Sequence, residues 1–216
     1  MNKSKILIAL MLIIIGVVGR FVLVSYIGIP NLEIITVLAL ISGIYLGGVY
    51  AVAVPLSIIF LSDLVIGNTY IFIFTWTAFA AIGLFGCFFK KKTCHSCEDG
   101  NPVKAENWKL EKKYNQRKDY ELGTKNSIVL ALLSSIFFYL CTNFGWWLMS
   151  GMYEYSLSGL ARCYWMAIPF FRNNLVGNLI FVPMGIYIAS RVLYGVKNYD
   201  ISKILSQKKK FTEIKK

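Results

Sequence analysis

Two residues of opposite charge stand where the sequence is otherwise apolar. Arg20 interrupts the run Ile6–Ile27, and Asp63 separates the uncharged runs Ile34–Ser62 and Leu64–Phe89. Ionisable groups in such surroundings are costly and are functional candidates by default. Two kinds of chemistry are open to them. As a buried ion pair they would lock helices together, or Arg20 would snorkel to a polar boundary. As part of a binding site they would form its polar floor, with the planar guanidinium meeting an anionic group. Asn143 and Asn178 lie in the uncharged runs Asn126–Tyr153 and Asn173–Ser190. They either bridge helices or join that floor. Trp146, Trp147, Tyr153, Tyr164 and Trp165 read as an interfacial belt, or, for Trp146 and Tyr164, as rings stacked on a ring-shaped ligand. Arg162 and Arg172 are either surface cations or the gate of an entrance, and Glu33 opens the second apolar run.

Other patterns carry less. Cys94-x-x-Cys97 encloses His95, the single histidine, but a closed zinc site needs four ligands and no second pair follows. We expect no metal and no cofactor. Five cysteines in an apolar chain do not suggest a disulfide framework. There is no Gly-x-x-x-x-Gly-Lys-Ser/Thr phosphate loop, no His-Glu-x-x-His and no Gly-x-Ser-x-Gly, so these routes to ATP hydrolysis, metalloprotease or esterase chemistry are closed. The chain is not expected to be an enzyme.

The elements that would position these residues follow from composition. Of 216 residues, 56% are hydrophobic and 16% charged, against roughly 45–50% and about 25% in soluble domains. A membrane helix takes about 20 residues, and the sequence divides into six spans, near 6–27, 33–49, 52–66, 70–89, 127–148 and 173–194. The run from Ile34 to Ile66 would be about 50 Å as one helix, longer than the roughly 30 Å hydrocarbon core. It is therefore expected to fold back at Gly47-Gly48, with Pro55 in the first turn of the next helix, and Gly67-Asn68 marks the following turn. The alternative is five spans with 34–66 as one helix. Leu157–Ile168 is expected to be a short interfacial helix ended by Pro169, and Ala105–Tyr120 to be partly helical. The stripe Ala39-x-x-x-Gly43-x-x-x-Gly47 and the pair Gly185-x-x-x-Ala189 allow close helix approach, either inside the protein or against another subunit.

The net charge of +12 is clustered. Ten of the 23 Lys and Arg lie in 90–125 and eight from Arg191 onward, with Lys3 and Lys5 at the N-terminus. With six spans, all three clusters fall on one side, as the positive-inside rule requires, so both termini are expected in the cytoplasm and no nucleic acid as partner. The expected class is thus an all-α membrane protein: a six-span domain over 1–196 containing a polar cytoplasmic loop at 90–125, and a basic tail at 197–216. Arg20, Asp63, Asn143 and Asn178 then share the outer half.

Several stretches carry a resemblance. They are Gly19-Arg20, Ala39 to Gly47, Pro55 through Leu61-Ser62-Asp63-Leu64 with Gly67, Thr142-Asn143-Phe144-Gly145, Gly159 to Tyr164, and Pro169-Phe170-Phe171-Arg172-Asn173. Together they resemble an uncharacterised family of small bacterial integral membrane proteins, similar in architecture to the substrate-binding S components of energy-coupling factor transporters. The resemblance implies a six-helix protein of the bacterial plasma membrane. It would capture a vitamin or similar small molecule at the outer face and work with a transmembrane coupling subunit and ATPases. The substrate-binding residues would be Arg20, Asp63, Asn143, Trp146, Arg162, Tyr164, Arg172 and Asn178. In two places the chain departs from it. Span 1 has Ala9 followed four residues later by Ile13 where S components often carry Ala-x-x-x-Ala, and Asn178 stands where an acidic residue is expected. The rival readings are a membrane enzyme acting on lipid or isoprenoid through Asp63, and a structural or assembly protein.

Overall fold

The structure is a computed structural model and describes residues 3–67, 70–95 and 124–214, with the side chains of 90–95, 124–125, 194 and 196–214 excepted. The described residues are helices joined by short connections: α1 (Lys3–Val22), α2 (Ile35–Ile41), α3 (Tyr50–Ile66), α4 (Phe72–His95), α5 (Thr124–Met149), α6 (Leu157–Met166) and α7 (Ile168–Ile214). Among the described residues, four stretches are long and apolar enough to cross a membrane: Lys3–Ile27, Phe72–Phe89, Asn126–Met149 and Leu157–Leu193. Two shorter apolar helical stretches, Ile35–Leu46 and Tyr50–Ile66, complete the bundle. Large apolar side chains such as Leu7, Leu10, Ile14, Val65 and Ile180 face outward, which suits contact with lipid. This is the build of a membrane protein.

The run 34–66 is broken, as the glycines require. α2 continues into a π turn (Ser42–Leu46) closed by Gly47 with φ 66°, whose N–H donates to Ser42 O at 2.9 Å. Glycine takes this left-handed conformation without steric cost. The five-span alternative, with one helix over 34–66, is therefore not the structure. The second expected span, 33–49, is also shorter than expected. Seven α-helical residues and five in the π turn reach about 18 Å. Glu33 caps the start of α2 and Gly47 ends it.

α2 is the axis of the bundle. Every residue from Ile35 to Ile44 is buried, which explains why this helix is apolar on all sides. It packs on α3, α4 and α7. Gly43 and Gly83 meet backbone to backbone: a Cβ on Gly43 would overlap Gly83 O, one on Gly83 would overlap Ala51 O, and one on Gly86 would lie 2.8 Å from Leu40 O. Gly185 packs against the side chain of Val37. The small residues of both stripes thus serve internal packing. So do Gly16 and Gly19 of α1, which face Ile58 and Ile34.

Proline placement differs from expectation. Pro55 is inside α3, one turn deeper than the first turn. A proline cannot donate to the carbonyl four residues back and pushes it aside. That carbonyl is Ala51 O, the one that abuts Gly83, so the absent side chain at Gly83 makes room for the displaced group. Pro169 does not end α6 either. Ala167 does, and Pro169 sits in the first turn of α7, where its missing N–H is no loss. α7 therefore begins at Ile168 and not near 173, and its backbone stays helical through the segment expected as a separate tail, to Ile214. Cys97, the side chains of Cys94 and His95, and the helix expected at Ala105–Tyr120 lie outside the described residues.

Candidate functional site

Contacts fix the helix directions. Gly16 meets Ile58, and Arg20 meets Asp63, so α1 and α3 run the same way. Phe79–Phe138 and Phe74–Phe144 show α4 and α5 opposed. Ser135–Asn178 and Tyr139–Phe171 show the same for α5 and α7. One end of the bundle therefore collects the last turn of α1, the loop 28–34, the end of α3, the start of α4, the end of α5, all of α6 and the start of α7. All eight expected site residues belong to this end. Lys5 belongs to the opposite end, where its Nζ donates to Leu46 O at 2.8 Å and caps the π turn after α2.

The structure brings Arg20 and Asp63 together as an ion pair between Arg20 Nη1 and Asp63 Oδ1. The Asp63 side chain is 7% exposed and that of Arg20 20%. Arg20 Nη1 also donates to Ser62 Oγ at 2.6 Å, and the Ser62 hydroxyl in turn donates to Ile58 O at 2.7 Å. The second carboxylate oxygen, Oδ2, accepts from Trp76 Nε1 at 3.1 Å. Trp76 is held edge-on between Phe60 and Phe72, with ring centroids 6.0 and 5.8 Å away. It is a member of the cluster that sequence reading missed. The available signal was an indole N–H inside an apolar helix, which needs a partner when buried. Beside the pair, an open groove of about 180 Å³ between α1 and α3 is lined by Val17, Val18, Phe21, Ser62, Val65 and Ile66, of which Val18, Phe21 and Val65 are exposed.

Glu33 lies at the edge of this cluster. Its Oε2 accepts from Thr36 N at 3.1 Å and its Oε1 from the Thr36 hydroxyl, which supplies the first turn of α2 with the acceptor it lacks. Enclosure of the carboxyl raises its pKa above the ordinary carboxylate range, with the Thr36 bonds and the charge of Arg20 opposing that rise.

The remaining site residues form other clusters at the same end. Asn178, 1% exposed, donates to Ser135 Oγ at 2.9 Å and to Asn174 Oδ1 at 3.1 Å. Asn173 and Asn174 donate to Pro30 O and Asn31 O, at 3.2 and 3.4 Å, so α7 holds the loop 28–34 from one flank. Asn143 donates to Tyr139 O of its own helix at 2.7 Å, and its main-chain oxygen accepts from the Cys163 thiol at 3.5 Å. Tyr164 joins α6 to α5, its hydroxyl donating to Leu140 O at 2.8 Å while Tyr139 donates to Tyr164 O. Trp146 is half-buried, and Arg162 and Arg172 are exposed. One continuous floor is not what these contacts build. Three hydrogen-bonded groups stand side by side, and the loop 28–34 links the first, at Arg20, with that at Asn178.

A family model matches residues 1–194, which ends where the apolar part of α7 ends. The chain belongs to DUF6580, a family of unknown function. No curated protein and no solved structure matches it.

Proposed function

We propose that this protein is the substrate-capture membrane subunit of an uptake transporter of the energy-coupling factor type, working with separate coupling and ATPase subunits in the bacterial plasma membrane. In this reading α1–α5 and α7 are six spans, both termini are cytoplasmic, and α6 rests at the outer interface. The observation that carries it is the gathering of Arg20, Asp63, Asn143 and Asn178 at one end of an otherwise apolar bundle, with the Lys5 end opposite. Arg162 and Arg172, exposed at that same end, would meet the ligand first. The groove beside Arg20 offers apolar walls to part of a small molecule. The missing phosphate loop fits a protein that relies on separate ATPases.

Native mass spectrometry of the gently purified protein tests the reading. Recovery of a small molecule, or of a coupling subunit with ATPases, supports it. Recovery alone with a lipid-modifying activity replaces it with the enzyme reading. The structural-protein reading has its own support: both Asp63 oxygens and the amide nitrogens of Asn143 and Asn178 already bond within the protein.

A further inference from the structure

The contact between α5 and α7 leaves two hydrogen-bonding valences open side by side in the interior. Asn31 O is a main-chain acceptor, so the atom of Asn174 that meets it is the amide nitrogen, at 3.4 Å. Asn174 Oδ1 is thereby turned to Asn178, whose Nδ2 donates to it at 3.1 Å. The second proton of the same Nδ2 goes to Ser135 Oγ at 2.9 Å. Both protons of the Asn178 amide are spent, and its orientation is fixed. Its Oδ1 has no partner among the described residues. Nor has the hydroxyl proton of Ser135, whose oxygen only accepts. Ser135 and Asn178 are 0% and 1% exposed, so bulk solvent serves neither group.

Buried polar groups are paired as a rule, with protein or with an ordered molecule. An open acceptor beside an open donor proton calls for a group that donates and accepts at once. An ionised carboxylate only accepts and an ammonium only donates, whereas a hydroxyl does both through one atom. The enclosure limits what can carry it. One turn toward the Lys5 end stand Ala131 and Val182, both 0% exposed. Toward the other end Tyr139 and Phe171 pack across α5 and α7 with ring centroids 4.7 Å apart, and Asn174 closes the flank against the loop 28–34. We propose that Ser135 and Asn178 are a built site for a single hydroxyl, which donates to Asn178 Oδ1 and accepts the proton of Ser135. Either an internal water supplies that hydroxyl or the alcohol group of a captured molecule does. A water completes the contact between α5 and α7. An alcohol makes Asn178 the residue that selects the captured molecule, and this second source rests on the transport reading.

The test is an experimental structure of the full chain in lipid nanodiscs, at a resolution that shows ordered water, with native mass spectrometry of the same preparation. We expect density within hydrogen-bond distance of both Asn178 Oδ1 and Ser135 Oγ. An isolated peak with no retained small molecule identifies water, and the site then stands while the transport reading loses Asn178. A peak continuous with a larger molecule, found also by mass, identifies the alcohol and supports both. No density there, or an Asn178 amide turned so that Oδ1 accepts directly from Ser135, would overturn the site. In Asn178→Leu, which removes the acceptor at similar bulk, the density should vanish, and its persistence would equally overturn the assignment. Should Asn178→Leu not accumulate, the wild-type density decides alone.

Discussion

Asp63 holds Trp76 through one carboxylate oxygen while the other is committed to Arg20. A single acidic side chain thereby joins α1, α3 and α4. Trp76→Phe leaves an aromatic ring between Phe60 and Phe72 and removes the N–H together with part of the indole's bulk. A hydrogen bond to a charged group is worth about 1.5–3 kcal/mol, and we expect a loss of that order, read as a lower unfolding midpoint in detergent.

Removing one partner of the ion pair distinguishes a lock from a ligand site. An uncompensated charge left at this depth costs about 3–5 kcal/mol. If the pair is only a lock, Arg20→Met and Asp63→Leu will each reduce accumulation, and the double variant will recover much of the loss. If the pair also serves a ligand, the double variant will accumulate yet lose the small molecule retained by wild type. Expression level and native mass spectrometry on the same three preparations separate these outcomes.

Gly83→Ala drives a methyl group into the backbone carbonyl of Ala51, which has no flexible atoms to yield. Overpacking of this kind costs about 1–3 kcal/mol. Gly195→Ala in α7 meets nothing within 4 Å and should gain up to about 1 kcal/mol from helix propensity. Thermal unfolding in detergent will show opposite signs for the two substitutions.

Glu33 gives stability a pH slope of known sign. Its folded pKa lies above the ordinary carboxylate value, so the folded state holds the proton more tightly than the unfolded chain. This contribution is fully present below the ordinary glutamate pKa and is lost as pH rises through the raised one. Unfolding midpoints should therefore fall across that window in wild type, and Glu33→Gln should flatten the fall.

Much of this architecture was legible in the sequence because charge and glycine are informative in apolar chains. Gly47 and Gly67 marked two turns, since an uncharged run of that length cannot cross once. The sharing of one end by Arg20, Asp63, Asn143 and Asn178 followed from counting the reversals. What was not legible is which apolar helix faces lipid and which faces protein. Hydropathy registers the absence of charge in both cases, so α2 looked like any other span. The charge of Arg172 predicts a helix start at 173, yet an exposed arginine is tolerated inside the first turns of α7. The bonding of Asn143 to its own helix, and of Trp76 to Asp63, depends on rotamers and neighbours that no periodicity encodes.

The central position of α2 has a consequence for how the protein is made. Its sequence leaves the ribosome second among the helices, but one of its walls, around Gly185, belongs to the last. Until α7 has been translated, Val37 and Ile41 have no permanent cover on that side. The bundle cannot be assembled simply in the order of synthesis, and α2 must wait at the translocon or among lipids for its final neighbour. A chain cut short before Ile168 would carry every expected polar residue of α1 to α5 and still lack a finished interior.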